Sequence, residues 1–150
     1  MKVPIRVMLV EDQAMVRQGL RYIIDAQPGL TVVGEAEDGE EAIQAALAKN
    51  PDVILMDIRM PGKNGIDATR EILQTLPGTK IILLTTFDIQ EYVYEGIRAG
   101  AVGYLLKSAE TQALLDGIRD AYQGAVIYRS TTSGEAIAQA FENGGRIPSR

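Results

Sequence analysis

The chain reads as an open α/β protein, a parallel sheet of five short strands with helices on both faces. Three observations predict it. Short apolar runs recur at 5–10, 31–33, 53–56, 80–84 and 104–106. Most are rich in Val, Ile and Leu and nearly continuous, as strands buried on both faces are. Segments with apolar residues at helical spacing separate them, and strictly alternating β and α units imply parallel strands with right-handed crossovers.

The first run is interrupted only by Arg6 and stops at Glu11-Asp12. Val16, Leu20, Ile23 and Ile24 then fall at helix spacing, and Gln27-Pro28-Gly29 ends that helix. The second strand holds Thr31-Val32-Val33. Asp38 and Glu41 have the spacing of a capping box and open an Ala-rich helix through Ile43 and Leu47, which ends before Asn50-Pro51. After strand 53–56, residues Ile66, Ile72, Leu73 and Leu76 mark a third helix closed by Pro77-Gly78. Strand 80–84 precedes a helix with Tyr92, Val93 and Ile97 that terminates at Gly100. Strand 104–106 leads to a fifth helix with Ser108 as cap, Leu114, Leu115, Ile118 and Tyr122 within it, and Gly124 behind it. For five strands the expected order is the flavodoxin-like 2-1-3-4-5, taken from known open sheets rather than deduced from spacing.

Residues 1–124 would form this domain, and 125–150 a linker. Thr132 and Glu135 repeat the capping-box spacing, and 136–141 could make about two helical turns. Asn143-Gly144-Gly145 and Pro148 break any pattern beyond.

At 150 residues the chain is long enough for one domain with a real core. It contains no Cys and no His, which removes disulfides, thiolate catalysis, the commonest general base and the usual transition-metal ligands. Any catalysis or metal binding must rest on carboxylates, hydroxyls and amines, and oxygen ligands favour Mg²⁺, Mn²⁺ or Ca²⁺. The net charge of -5 argues against this segment gripping nucleic acid. No apolar run approaches the roughly 18 residues of a membrane span, and the N-terminus lacks a cleavable apolar leader. A cytoplasmic protein is expected.

In an open α/β sheet, ligands bind beyond the carboxyl ends of the strands. Strand one ends in Glu11-Asp12, strand three in Asp57, strand four in Thr85-Thr86 and strand five in Lys107. These strands are successive neighbours in the expected order, so their ends converge on one pocket. Carboxylates held close either raise a pKa or bind a cation, and Mg²⁺ suits this donor set. Lys107 can neutralise further negative charge. Asp is a competent nucleophile towards phosphorus, and phosphoryl transfer needs positioning and charge neutralisation above all. Asp57, on the central strand, is the best candidate nucleophile.

Val-Glu-Asp at 10–12, Leu-Met-Asp-Ile-Arg-Met-Pro at 55–61 with Gly65, Leu-Leu-Thr-Thr at 83–86 and Gly-Tyr-Leu-Leu-Lys at 103–107 together resemble response-regulator receiver domains, with their CheY-like fold, over about residues 5–124. Thr-Thr-Phe-Asp at 85–88, Ala-Gly-Ala-Val-Gly-Tyr at 99–104 and Lys-Ser at 107–108 are similar to the NarL/FixJ subfamily. Many receivers carry Pro after this Lys, where Ser108 stands here. The resemblance implies that Asp57 accepts phosphate from a sensor histidine kinase. It implies Mg²⁺ held by Glu11, Asp12, Asp57 and the backbone carbonyl of Arg59. Thr85 would hydrogen-bond the phosphoryl oxygen, Lys107 would pair with it, and Tyr104 would turn inward on activation. It also implies a DNA-binding helix-turn-helix domain after the linker, outside this chain, as in a transcriptional regulator; a homodimer is a further possibility.

Each residue has a plainer reading. Asp12 could cap the first helix, Glu11 could be a solvated strand-end charge, Lys107 a surface lysine, and Tyr104 a core residue. Thr85 and Thr86 suit any strand, and Pro61 and Gly65 read as turn residues. Asp57 resists such a reading, because a nearly buried carboxylate needs a partner. Two alternatives to a transcriptional regulator are a stand-alone receiver and a small Mg²⁺-dependent phosphohydrolase. Phosphohydrolases of that kind commonly place a proton-donating acid two residues after the nucleophile, where this chain has Arg59. A nucleotide-binding module would want a Gly-rich phosphate loop after the first strand, and none is present.

Overall fold

The computed structural model describes residues 3–86 and 89–129. In chain order the elements are β1 (Ile5–Val10), α1 (Ala14–Asp25), β2 (Leu30–Ala36), α2 (Gly39–Lys49), β3 (Val53–Asp57), α3 (Gly65–Thr75), β4 (Lys80–Thr85), α4 (Gln90–Ala99), β5 (Gly103–Leu106), α5 (Thr111–Tyr122) and β6 (Ile127–Arg129). All neighbouring strands are parallel. Their order is β2-β1-β3-β4-β5-β6, which is the expected 2-1-3-4-5 arrangement with one short strand added beside β5. The sheet therefore continues past Gly124. The stretch 132–148, with its capping-box spacing and glycine pair, lies outside the described residues, as do Phe87 and Asp88.

The continuous apolar runs follow from burial on both faces. Along each strand successive side chains enter different cores. Val7, Leu9, Leu55, Leu84 and Leu105 face the side covered by Ile24 of α1 and by Leu114, Leu115 and Ile118 of α5. Met8, Val10, Met56, Leu83 and Tyr104 face the side covered by Ala42 and Ala46 of α2, Ala68 and Ile72 of α3, and Val93 of α4. Two layers of helices thus clamp the central strands, and β3 is buried throughout.

Helix starts are partly as expected. Asp38 accepts a hydrogen bond from the Glu41 amide at 2.8 Å. The returning bond of the box is displaced by one residue, with Glu41 Oε1 accepting from the Glu37 amide at 2.6 Å. Asn64, which the sequence reading did not single out, caps α3 by accepting from the Asp67 amide at 2.9 Å. Ser108 does not cap α5. It stands in a turn closed by the Ala109 amide donating to the Leu106 carbonyl at 2.9 Å, and the N-cap is Glu110. Asp12 is not the cap of α1 either, since that position is Gln13. Among the described residues no helix is long and apolar enough to cross a membrane.

Candidate functional site

Strand register brings the predicted residues to one edge of the sheet. Val10 pairs with Met56, which sets Glu11 level with Asp57. Asp57 pairs with Leu84, and Thr85, the next residue on β4, pairs with Leu106. Lys107 follows at once, its amide donating to the Thr85 carbonyl at 2.7 Å. Pleating then sorts the side chains. Glu11 and Asp57 continue the series of Leu9 and Leu55, on the α1/α5 face. Thr85 continues that of Leu83, on the face shared with Tyr104.

On the α1/α5 side the contacts are direct. Lys107 Nζ lies 2.7 Å from Glu11 Oε1 and 3.1 Å from Asp57 Oδ2. Glu11 Oε2 accepts from the Gln13 amide at 3.0 Å. Glu11 and Asp57 are 1% and 3% exposed, so these are buried carboxylates and not solvated strand ends. One oxygen each from Glu11, Asp12 and Asp57 lies within 4.8 Å of the others. Thr85 is buried, and Tyr104 is fully enclosed in the core on the opposite face, an inward position. Arg59 is exposed, two residues beyond Asp57.

Electrostatics follow from this crowding. Burial, then the neighbouring charge of Glu11, push the Asp57 carboxyl up to about 7 against the pull of Lys107. For Lys107, burial works to lower its pKa, but the contacts with Glu11 and Asp57 outweigh it and hold the ammonium above its ordinary value. Three carboxylates and one ammonium leave the pocket short of positive charge. Glu11 Oε1 touches Lys107 as an ion pair but has no aligned hydrogen-bond donor among the described residues. A buried carboxylate oxygen with a free lone pair, facing two more carboxylates, fits a hard divalent cation bound by oxygen.

The loop after β3 is held by a close approach that the sequence did not reveal. The Gly65 amide donates to the Ile58 carbonyl at 2.9 Å. A Cβ on Gly65 would lie 2.1 Å from the Asp57 carbonyl oxygen, so α3 can begin there only on a glycine. Gly39 is similar, since its Cβ would fall 2.4 Å from the Lys63 carbonyl oxygen. Both had the signature of ordinary turn or helix-start glycines; only the neighbouring backbone distinguishes them.

The profile of the response regulator receiver domain matches residues 7–119. The chain belongs to that family. Its curated relatives include an uncharacterized transcriptional regulatory protein, YxjL, of Bacillus subtilis strain 168, 53% identical over 91% of this chain and 63% of that protein. Another is the transcriptional regulatory protein LiaR of the same strain, 43% identical over 93% of this chain and 66% of that protein. The receiver chain thus spans just under two thirds of their length. Among solved structures, a LuxR-family two-component response regulator from Aurantimonas sp. SI85-9A1 superposes with a TM-score of 0.83 at 34% identity, covering 91% of this chain and 96% of that one. The response regulator domain of Thermotoga maritima CheB gives 0.75 at 38% identity, over 81% and 98%. The receiver family is one of signalling switches, and the acidic cluster lies at the strand ends where the sequence placed it.

Proposed function

We propose that this receiver takes a phosphoryl group onto Asp57 from a phosphohistidine of a sensor kinase, with Mg²⁺ in the acidic pocket, and relays the event to a partner surface. The observation that carries this is the convergence of Glu11, Asp12 and Asp57 within 4.8 Å, with Lys107 bound to Asp57. Glu11, Asp12, Asp57 and the Arg59 carbonyl would hold the ion. Bound there, Mg²⁺ supplies the positive charge that the pocket lacks and that a transferring phosphoryl group needs. Asp57 attacks phosphorus in line; the P–O bond forms as the P–N bond breaks, and the departing imidazole takes a proton from solvent. This chain has no His, so a histidine donor lies outside residues 1–150. Lys107 pairs with the incoming charge, and the Thr85 hydroxyl donates a hydrogen bond to a phosphoryl oxygen.

Thr85 and Tyr104 share the α2–α4 face, so a shift at Thr85 is felt where Tyr104 packs. The output is then a change of the surface around α4, β5 and α5. Residues 1–124, with the added strand β6, would be the switch, and the rest of 125–150 a linker. The switch serves a cytoplasmic transcriptional regulator whose DNA contacts lie in a domain outside this chain, as the regulatory relatives suggest. It is not a turnover enzyme beyond slow self-dephosphorylation; Arg59, where a phosphohydrolase wants an acid, supports that. Beryllofluoride with Mg²⁺, a mimic of the acyl phosphate, is expected to shift the amide resonances of Thr85 and Tyr104. Equal shifts in Asp57→Asn, or none in the wild type, would refute the switch.

A further inference from the structure

Arg17 stands outside the acidic pocket yet holds its geometry. Its side chain is only 12% exposed. From the first turn of α1, Nη1 donates to the Glu11 carbonyl at 2.6 Å, while Nε donates to Glu35 Oε1 at the end of β2 at 2.9 Å. Glu35 is held in turn by Arg21, which also reaches Asp25 at 3.5 Å. Asp25 Oδ1 accepts from the Val32 amide in β2 at 2.9 Å. The guanidinium is thus fixed from behind by an ion-pair chain between α1 and β2.

The acceptor matters most. The Glu11 carbonyl belongs to the peptide unit that joins Glu11 to Asp12, two of the three clustered carboxylates. β1 ends at Val10, paired with the last residue of β2, so no ladder donor follows for that carbonyl. The Glu11 amide is already fixed on the Ala36 carbonyl at 3.0 Å. With Arg17 on the carbonyl, the two peptide planes that flank the Glu11 Cα are each held by a hydrogen bond, which fixes the direction in which the Glu11 side chain leaves the backbone and the plane from which Asp12 follows. We infer that Arg17 is a positioning residue for the cation site. Through the Glu11–Asp12 peptide, it sets how tightly the acidic cluster binds Mg²⁺. The inference rests on the proposed Mg²⁺ site and extends it to a residue that touches neither metal nor phosphoryl group.

The test is Mg²⁺ titration of the amide spectrum in wild type, Arg17→Ala and Arg17→Lys, with the Glu11 carbonyl carbon also followed in metal-free protein. Arg17→Ala is expected to bind Mg²⁺ about tenfold more weakly, the range for losing an outer-shell partner, and to move the Glu11 carbonyl and Asp12 amide resonances before any metal is added. Arg17→Lys should recover part of the affinity, because an ammonium can reach one partner but not bridge both. A purely structural role would lower the melting temperature and leave Mg²⁺ affinity and the Glu11 carbonyl alone; that result overturns the inference. Absence of Mg²⁺ binding by the wild type would overturn the site reading itself. Should Arg17→Ala not fold, Glu35→Gln loosens the same guanidinium from behind without touching the pocket. A smaller affinity loss with a shifted Glu11 carbonyl then supports the inference, and wild-type values for both overturn it.

Discussion

Asp57 is buried beside a second buried carboxylate, and its surroundings show the tension. Burial and Glu11 raise its carboxyl to about 7 from 3.8. A folded value above the unfolded one means that the folded protein keeps a proton the unfolded chain releases. That stability is complete below about pH 4 and is lost as pH rises through about 7. In chelator, the wild type should therefore melt progressively lower between about pH 4 and 7, and Asp57→Asn should flatten most of that slope. Thermal melts across the range read this directly, and equal slopes would show that the proton sits elsewhere. Lys107 works in the opposite direction. Lys107→Ala leaves Glu11 and Asp57, with side chains 1% and 4% exposed, without their shared cation. Removing one partner of a buried ion pair costs about 3 kcal/mol, to be checked by urea unfolding at neutral pH. Much of this site was legible because strand ends in a parallel sheet are predictable positions. Arg17 was not, because an arginine in the first turn of an amphipathic helix looks like any solvated charge.

Among the elements, the start of α3 is the most constrained. Gly65 lets the helix begin against the Asp57 carbonyl, and a methyl group placed 2.1 Å from that oxygen must displace one of them. Gly65→Ala is expected to cost about 2 kcal/mol, the usual size of an overpacking strain, and to slow phosphoryl uptake by moving the 58–64 loop. Asn64→Ala removes only the cap, at about 1 kcal/mol, and should leave uptake unchanged. Comparing denaturation midpoints and phosphorylation rates of the two variants separates strain at Asp57 from simple helix fraying. Helix positions were readable from apolar spacing, but helix starts less so. Asp38 capped as its pattern predicts, whereas Ser108 was drawn into the turn after β5, a contest between local turn and helix that spacing does not resolve.

At the scale of the molecule, the two cores explain why five short, nearly continuous apolar runs sufficed to predict a parallel sheet with helices on both faces, while the strand order came from known open sheets. The sixth strand escaped notice because Ile127-Tyr128-Arg129 is too short to carry a period and follows the Gly124 that ends α5. Ile127 nevertheless joins the α1/α5 core at 5% exposure, and its amide donates to the Val102 carbonyl at 2.6 Å. Ile127→Ala should destabilise the domain by about 2 kcal/mol, measured as a lower urea midpoint with an unchanged slope. Because β6 runs parallel to β5, residue 129 lies at the same edge of the sheet as Asp57.

The most direct test of phosphoryl acceptance is the intact mass after incubation with a small phosphoramidate donor and Mg²⁺. The wild type should gain one phosphoryl group, and both Asp57→Asn and wild type in chelator should gain none. Equal uptake by Asp57→Asn would contradict the assignment of Asp57 as the acceptor.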